Sequence, residues 1–364
     1  MDNLFNGIYK DTKVLVTGNT GFKGSWLTFW LKNLGAEVVG YSLKPTTKPN
    51  HFELLNIEYP TIIGDIRDVM TLDDAFTRYQ PEIVFHLAAQ PLVRQSYENP
   101  LETYDINVMG TLKIFEACRN HTVKAIVNIT SDKCYENQEW VWGYRENDPM
   151  GGYDPYSSSK GCVELLTNSY RNSYFNLQGY KKSHNTLLAS CRAGNVIGGG
   201  DWGRDRLIPD IVISAIQGKK VRIRNPSSTR PWQHVLEPLS GYLHIGQKLL
   251  EGKIDFAEGW NFGPSDDISN TVKEIIWSMM DEWHSIDYEI NQDPNQLHEA
   301  SLLKLDCSKA HIKLKWNNVW DTKTGLKKTA KWYMDFYEKK KIDTKEDLES
   351  YVCDARQKKI EWAL

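Results

Sequence analysis

The sequence predicts an α/β protein: a doubly wound parallel sheet with helices on both faces, followed by a smaller C-terminal α/β part. Three observations predict it. The chain opens on a short apolar strand, a glycine-rich turn and an apolar helix, between Lys13 and Leu34. Strands and helices then alternate as far as Cys191, the pattern of a parallel sheet covered on both sides. Residues with chemical potential collect at the predicted strand ends, where open parallel sheets take their ligands.

The elements follow in order. Lys13-Val14-Leu15-Val16-Thr17 is a β-branched run that stops at Gly18, and a helix runs from about Phe22 to Leu34. Between them lies Gly18-Asn19-Thr20-Gly21-Phe22-Lys23-Gly24, spaced G-x-x-G-x-x-G. Strand, glycine turn and helix in that order let the backbone approach a diphosphate at a helix N-terminus, as in Rossmann-type dinucleotide sites. The second strand, Glu37 to Tyr41, ends at Ser42, where NAD-binding chains usually place an acid for the ribose 2′-hydroxyl. With Ser42, Leu43 and Lys44 there, NADP is not excluded beside NAD.

The third strand, Thr61 to Gly64, brings Asp65 to its end, placed to meet an adenine amino group. A helix around Leu72 to Tyr79, the strand Ile83 to His86 and the small-residue turn Leu87-Ala88-Ala89-Gln90 come next. A helix from about Pro100 to Arg119, a strand Lys124 to Thr130, the helix carrying Tyr156 and a strand Asn185 to Cys191 complete the alternation. One crevice therefore gathers Gly18, Ser42, Asp65, Ala88 and Ser131. The expected division is 1–190 for the dinucleotide and the catalytic residues and 191–364 mainly for substrate, with some segments returning to the first part.

Composition narrows the function classes. Apolar residues make up 40% and charged residues 25%, and a net charge of −3 leaves no basic footprint for nucleic acid. The six cysteines show no Cys-x-x-Cys pair and no zinc spacing, so reduced thiols and no metal are expected. Met1 to Asp11 lacks the charged start and apolar core of a signal peptide, and no run approaches the roughly 18 apolar residues of a membrane span. The expected compartment is the cytoplasm. Of the 13 tryptophans, Trp202 and Trp232 fall in loops where their rings are expected to line a pocket.

The chemistry centres on Tyr156-Ser157-Ser158-Ser159-Lys160, read with Thr130-Ser131-Asp132-Lys133. Tyr156 and Lys160 are four apart and share one helix face. A free tyrosine titrates near pH 10 and is a poor base at neutrality, whereas a neighbouring ammonium favours its phenolate. Farther on, Arg204, Arg206, Arg222, Arg224 and Arg230 fall on loops, as surface charge or as a clamp for a nucleotide diphosphate.

With glycine turn, strand-end sites, serine and Tyr-x-x-x-Lys in this order, the chain resembles the extended short-chain dehydrogenase/reductase (epimerase/dehydratase) family along almost its whole length. Thr130 to Tyr135, Tyr156 to Gly161, Arg192 to Trp202, Arg230 to Val235 and His298-Glu299-Ala300 look most like the branch of nucleotide-sugar 4,6-dehydratases that acts on CDP-glucose. The resemblance implies an NAD-dependent hydro-lyase that oxidises C4 of the sugar, eliminates water across C5–C6 and returns the hydride to C6, in deoxysugar and O-antigen biosynthesis. It implies that Tyr156 takes the 4-hydroxyl proton, Lys160 holds the nicotinamide ribose and lowers the Tyr156 pKa, Ser131 binds the 4-oxygen and Asp132 protonates the departing hydroxyl.

Lys133 departs from the glutamate of dTDP-glucose dehydratases. It is expected either as a deprotonated base for C5 or as a charged stabiliser of the enolate, with a purely structural ion pair as a third reading. Gly18, Thr20, Gly21, Phe22, Lys23, Ser42, Asp65, Ile66, Leu87, Ala88, Ala89, Tyr104 and Ile129, with Tyr156 and Lys160, are implied around the cofactor. Gln90, Arg94, Ser131, Asn195, Arg230, His298 and Glu299 are implied around the substrate.

The family commonly forms a homodimer through a four-helix bundle, or a tetramer, and Val163, Leu166 and Tyr170 are spaced either for that face or for plain core. Alternatives are a dehydratase or epimerase for another nucleotide sugar and a non-catalytic dinucleotide-binding protein. Asp132 favours a dehydratase, because a 4-epimerase needs no acid at C6.

Overall fold

The computed structural model of the protein describes all residues except 2, 224–225, 227, 265–269 and 291–301. At its centre is a seven-stranded, wholly parallel sheet. Six of its strands are β1 (Lys13–Thr17), β2 (Glu37–Ser42), β3 (Thr61–Ile63), β4 (Ile83–His86), β5 (Ala125–Ile129) and β6 (Leu187–Ala193). The seventh is Gly259–Phe262, which pairs with β6 at the edge opposite β3. From that edge the order is Gly259–Phe262, β6, β5, β4, β1, β2, β3, so the direction of winding reverses between β1 and β4. That reversal opens a crevice beyond the strand ends.

Local chemistry sets the helix ends. The first helix, Phe22–Asn33, starts at Gly21 without a side-chain cap. The helix Val69–Tyr79 is capped by Asp68, which accepts from the amides of Met70 and Thr71. The helix Pro155–Ser173 carries Asp154 at its N-cap, accepting from Ser157 N, and Pro155 at the first position, where a missing N–H costs nothing. The helix expected from Pro100 to Arg119 is not continuous: Pro100–Tyr104 and Thr111–Asn120 flank a π-helical stretch, Asp105–Gly110. The wider turn there carries Asn107, and π segments often mark functional sites.

The strand Gly259–Phe262 lies past the point where regular alternation ends, and Gly-Trp-Asn-Phe lacks a β-branched run. It is a strand because both faces are covered and β6 supplies its ladder. The helix Leu236–Leu250 packs on β5 and β6, and the C-terminal Trp362 stacks on Phe5 at 5.1 Å. Later segments therefore complete the core of the first sheet.

A second core gathers Ile197, Trp202, Ile208, Ile211, Trp232 and Trp332. Contrary to the expectation of pocket-lining rings, Trp202 and Trp232 are buried in this core. The ring of Trp202 packs on Trp332 at 5.8 Å, and its Nε1 donates to Tyr337 Oη at 2.9 Å. Three short strand pairs border this part: Val196–Ile197 with Gln233–His234, Thr229–Arg230 with Asn270–Thr271, and Val221–Ile223 with Tyr288–Ile290.

Gly24 has no room for a side chain. A Cβ there would stand 2.0 Å from the Gly18 carbonyl oxygen. Gly24→Ala should therefore lower stability by about 1–3 kcal/mol, read as a lower denaturation midpoint. An unchanged midpoint would show that the turn yields more easily than its contacts suggest.

Candidate active site

The helix Pro155–Ser173 is built so that Tyr156 and Lys160 face the end of β5. Tyr156 N donates to Ser96 Oγ at 3.1 Å, and Ser159 Oγ donates to the Tyr156 carbonyl at 2.7 Å. The Lys160 ammonium stands 6.0 Å from the centre of the Tyr156 ring. Ser131 caps a short turn, Asp132–Cys134, by accepting from Lys133 N at 3.2 Å, and donates from Oγ to Asp132 Oδ1 at 3.0 Å. Ser131 and Asp132 are buried, and Lys133 is half-buried. From β6, Gly194 approaches this turn so closely that a Cβ would meet Asp132 Oδ2 at 3.1 Å.

Burial dominates the electrostatics. It pushes the Tyr156 phenol up to about 12, with Asp132 adding to the rise and a hydrogen bond from Ser131 and the charge of Arg206 opposing it. Burial outweighs the lowering that the sequence leads one to expect from a neighbouring ammonium. Lys160 itself is lowered to about 8 by burial and by Lys23. Lys23, in the first turn of the first helix, is lowered to about 8 by burial and Arg206, against Asp132 and Asp201. Lys23, Lys160 and Arg206 therefore surround the Tyr156–Asp132 site. Arg206 is held by Asp201 at 2.8 Å.

This arrangement sorts the five loop arginines. Arg206 reaches the crevice, whereas Arg222 pairs with Glu289 on the outer surface at 3.0 Å. Arg204 is exposed, Arg224 lies outside the described residues, and Arg230 sits on the short strand Thr229–Arg230.

The glycine turn and strand ends form a cradle suited to a dinucleotide. Gly18 adopts φ +74°, and a Cβ there would lie 2.9 Å from Ala88 N, so the turn and the end of β4 meet backbone to backbone. The uncapped first helix leaves its N-terminal amides pointing into that space, and the first turn carries Lys23 and no acid. A cation at the positive end of a helix dipole is unfavourable unless an anion lies close by. A diphosphate fits that place.

Around it, Thr20 Oγ1 and Ser42 Oγ are 2.8 Å apart, and Thr17 Oγ1 accepts from Leu87 N and Ala88 N. Asp65, expected at the adenine, is held by Arg67 at 2.7 Å, which keeps its carboxyl below the usual range. Ile66 and Ile129 are buried, while Phe22, Ala89 and Tyr104 are partly buried.

Other sequence-predicted contacts fall elsewhere. Gln90 is buried with its carboxamide turned into its own loop: Nε2 donates to Leu92 O and Thr103 Oγ1, each at 3.0 Å, and Oε1 accepts from Leu92 N. It shapes the loop rather than facing the crevice. Arg94 spans to Asp205 at 3.0 Å, joining the two halves of the chain. Asn195, half-buried, accepts from Gln233 N at 3.0 Å through its carbonyl. His298 and Glu299 lie outside the described residues. Asn107 was not singled out from the sequence, yet it accepts from Gln90 N at 2.8 Å and donates to Ser159 Oγ at 2.9 Å. Its only sequence signal was its place in an apparently regular helix.

The signs on Tyr156 give a test. Ser131→Ala, which removes the stabilising hydrogen bond, should raise its pKa further. Asp132→Asn, which removes a repelling anion, should lower it. Tyrosine 13Cζ resonances followed through titration, with Tyr156→Phe for assignment, would read both shifts, and movement in the opposite directions would reject this arrangement.

Similarity to known proteins agrees with the geometry. Residues 15–329 match the family described as GDP-mannose 4,6 dehydratase. A CDP-glucose 4,6-dehydratase of Salmonella typhimurium is 54% identical over 328 residues, covering 89% of this chain and 91% of that enzyme. A dTDP-glucose 4,6-dehydratase of Haemophilus influenzae is 26% identical over 88% of this chain and 97% of its own. Among solved structures, a UDP-glucose 4-epimerase of Thermotoga maritima with UDP-glucose superposes with a TM-score of 0.76 at 24% identity, covering 89% of this chain and 99% of its own. A dTDP-glucose 4,6-dehydratase of Bacillus anthracis in complex with NAD gives 0.73 at 20% identity, covering 89% and 97%. These two share the fold. The sheet order, the Tyr156–Lys160 helix face and a family match from residue 15 to residue 329 agree, and the chain belongs to the GDP-mannose 4,6-dehydratase family of extended short-chain dehydrogenases/reductases.

Proposed function

We propose that this chain converts CDP-D-glucose to CDP-4-keto-6-deoxy-D-glucose, with NAD as the resident cofactor, in deoxysugar and O-antigen biosynthesis in the cytoplasm. The observation that carries the reaction is the buried Asp132 carboxyl bonded to Ser131 in the turn facing Tyr156. An acid there suits elimination, which a 4-epimerase does not perform. The 54% identical CDP-glucose 4,6-dehydratase supports the choice of cytidine nucleotide. Among the described residues no helix is long and apolar enough to cross a membrane.

NAD is held by the Gly18–Gly24 turn, the first helix with Lys23, Thr20 and Ser42 at the ribose side, Asp65 and Ile66 at the adenine side, and Leu87 to Ala89, Tyr104 and Ile129 along the strand ends. Held there, NAD would supply the hydride acceptor for C4 oxidation and the hydride for reduction at C6. Tyr156 removes the 4-hydroxyl proton, and Ser131 holds that oxygen. The raised pKa of Tyr156 means that the phenolate forms only when positive charge accumulates around it, and Lys160, Lys23 and Arg206 are the chain's own cations there. The 4-keto group acidifies C5. Asp132 delivers the proton that leaves with the 6-hydroxyl as water. Lys133 either removes the C5 proton or stabilises the enolate as a cation. Asn195, Arg230 and Arg206 take the diphosphate, Arg94 borders the sugar, and His298 and Glu299 meet the nucleotide ribose.

A homodimer through a four-helix bundle is part of this proposal, and Val163, Leu166 and Tyr170 take the plain-core reading. Val163 and Tyr170 are buried, and Leu166 packs on the core. Leu165, Leu101 and Met109 are the exposed apolar residues on these helices, and they supply the face instead.

The test is incubation with CDP-glucose, and with dTDP-, UDP- and GDP-sugars in parallel, with and without added NAD. A product lighter by one water and bearing a 4-keto group should appear from CDP-glucose. Product from another nucleotide alone would discard the cytidine assignment and keep the reaction.

Asp132→Asn should oxidise C4 but slow elimination about 10²–10⁴-fold, the span of general acid catalysis. For Lys133, exchange of solvent deuterium into C5 decides between the roles. Lys133→Arg should keep exchange if the residue is an electrostatic stabiliser and abolish it if the residue is the base.

A further inference from the structure

Glu164 lies one helical turn beyond Lys160 and two beyond Tyr156, and no step above uses it. Its carboxylate is 3% exposed. It accepts hydrogen bonds from Thr130 Oγ1, from Ser190 Oγ at 2.8 Å and from Arg192 Nη2 at 2.8 Å. Thr130 immediately precedes Ser131. Arg192 leads into Gly194, the residue packed against Asp132 Oδ2. The other arm of Arg192 donates to Tyr135 Oη at 2.6 Å and to the Glu146 carbonyl at 3.1 Å. Tyr135 closes the turn that Ser131 opens, and its hydroxyl donates to Asn261 Oδ1 at 2.7 Å. One buried ion pair thus holds the chain on both sides of Ser131–Lys133, the helix of Tyr156 and Lys160, and the strand end at Gly194.

We propose that Glu164 and Arg192 are a positioning pair for the reaction: they keep the Ser131–Lys133 turn in register with the Tyr156–Lys160 helix face, and Glu164 is the counter-charge of Lys160. This rests on the dehydratase reading. Lys160 faces Lys23 from the first helix, His86 at the end of β4, Cys134 after β5, and Tyr156 and Glu164 on its own helix. Glu164 faces Arg192, Arg171, Cys134 and Cys191. Among the groups around Lys160, Glu164 is the carboxylate. Burial and Lys23 disfavour the Lys160 ammonium, and Glu164 opposes them. Burial would raise the Glu164 carboxyl, but Arg192 and the three donors hold it at about 2, so it stays charged.

The experiment compares pH profiles of kcat, and of NAD binding by calorimetry, for the wild type, Glu164→Gln, Arg192→Lys and Thr130→Val. Glu164→Gln keeps the volume and removes the anion. The alkaline limb, where Lys160 loses its proton, should move to lower pH in both kcat and NAD binding. Thr130→Val and Arg192→Lys keep both charges, so kcat should fall about 10²-fold through misplacement, with KM and the limb unmoved.

An alkaline limb in the same place in Glu164→Gln would overturn the counter-charge. Wild-type kcat in a folded Thr130→Val would overturn the positioning role, and that variant decides the matter if Glu164→Gln does not fold. A wild type silent on every sugar nucleotide would instead reject the dehydratase reading, and the pH dependence of NAD binding would still judge the counter-charge.

Discussion

A guanidinium and a carboxylate buried together beneath the crevice constrain the rest of the molecule. Neither Arg192 nor Glu164 could be left alone there, because an unpaired charge in a dry interior costs several kcal/mol. The pair is held because the Glu164 oxygens also accept from Thr130 and Ser190, while Arg192 Nη1 donates to Tyr135 and the Glu146 carbonyl; among the described residues only Arg192 Nε of the pair is left without a partner. Those partners come from β5, β6 and the loop between β5 and the helix Pro155–Ser173. The requirement to satisfy two charges therefore dictates where three chain segments meet. The Ser131–Lys133 turn is a by-product of that meeting.

Above this base the crevice drives its ionisable groups toward neutrality. Burial raises Tyr156 and lowers Lys160 and Lys23, which disfavours a phenolate and both ammoniums. Asp132 and Asp201 oppose that effect at Lys23. Burial and several charges together, rather than one neighbouring lysine, set the electrostatics there.

Much of this was legible in the chain. β1 and β4 fall at the residues expected, and β2, β3 and β5 within a residue or so, because buried parallel strands read as continuous β-branched runs flanked by turns. The edge strand Gly259–Phe262 was not legible, since Gly, Trp and Asn carry no strand signal and only the open edge of β6 recruits them. The break at Asp105–Gly110 was hidden because a π turn has no composition of its own. Trp202 and Trp232 misled, since neighbouring Gly and Pro suggested exposed loops while distant aromatic rings bury them. Gln90 and Arg94 were expected to face the sugar, but the structure turns their polar atoms to Thr103 and Asp205.

The sequence by itself determined the fold class, the dinucleotide cradle and the order of the serine, tyrosine and lysine, because each depends on short-range spacing: strand, turn and helix, or four residues along one helix face. Only the tertiary structure decided which arginine enters the site, which apolar face on the two helices stays exposed, and how far each pKa moves. Those outcomes are set by burial and by charges many residues apart. Arg206 beside Tyr156, Lys23 beside Lys160 and Glu164 beneath them acquire their roles only when the strand ends converge, and no local pattern along the chain encodes that distance.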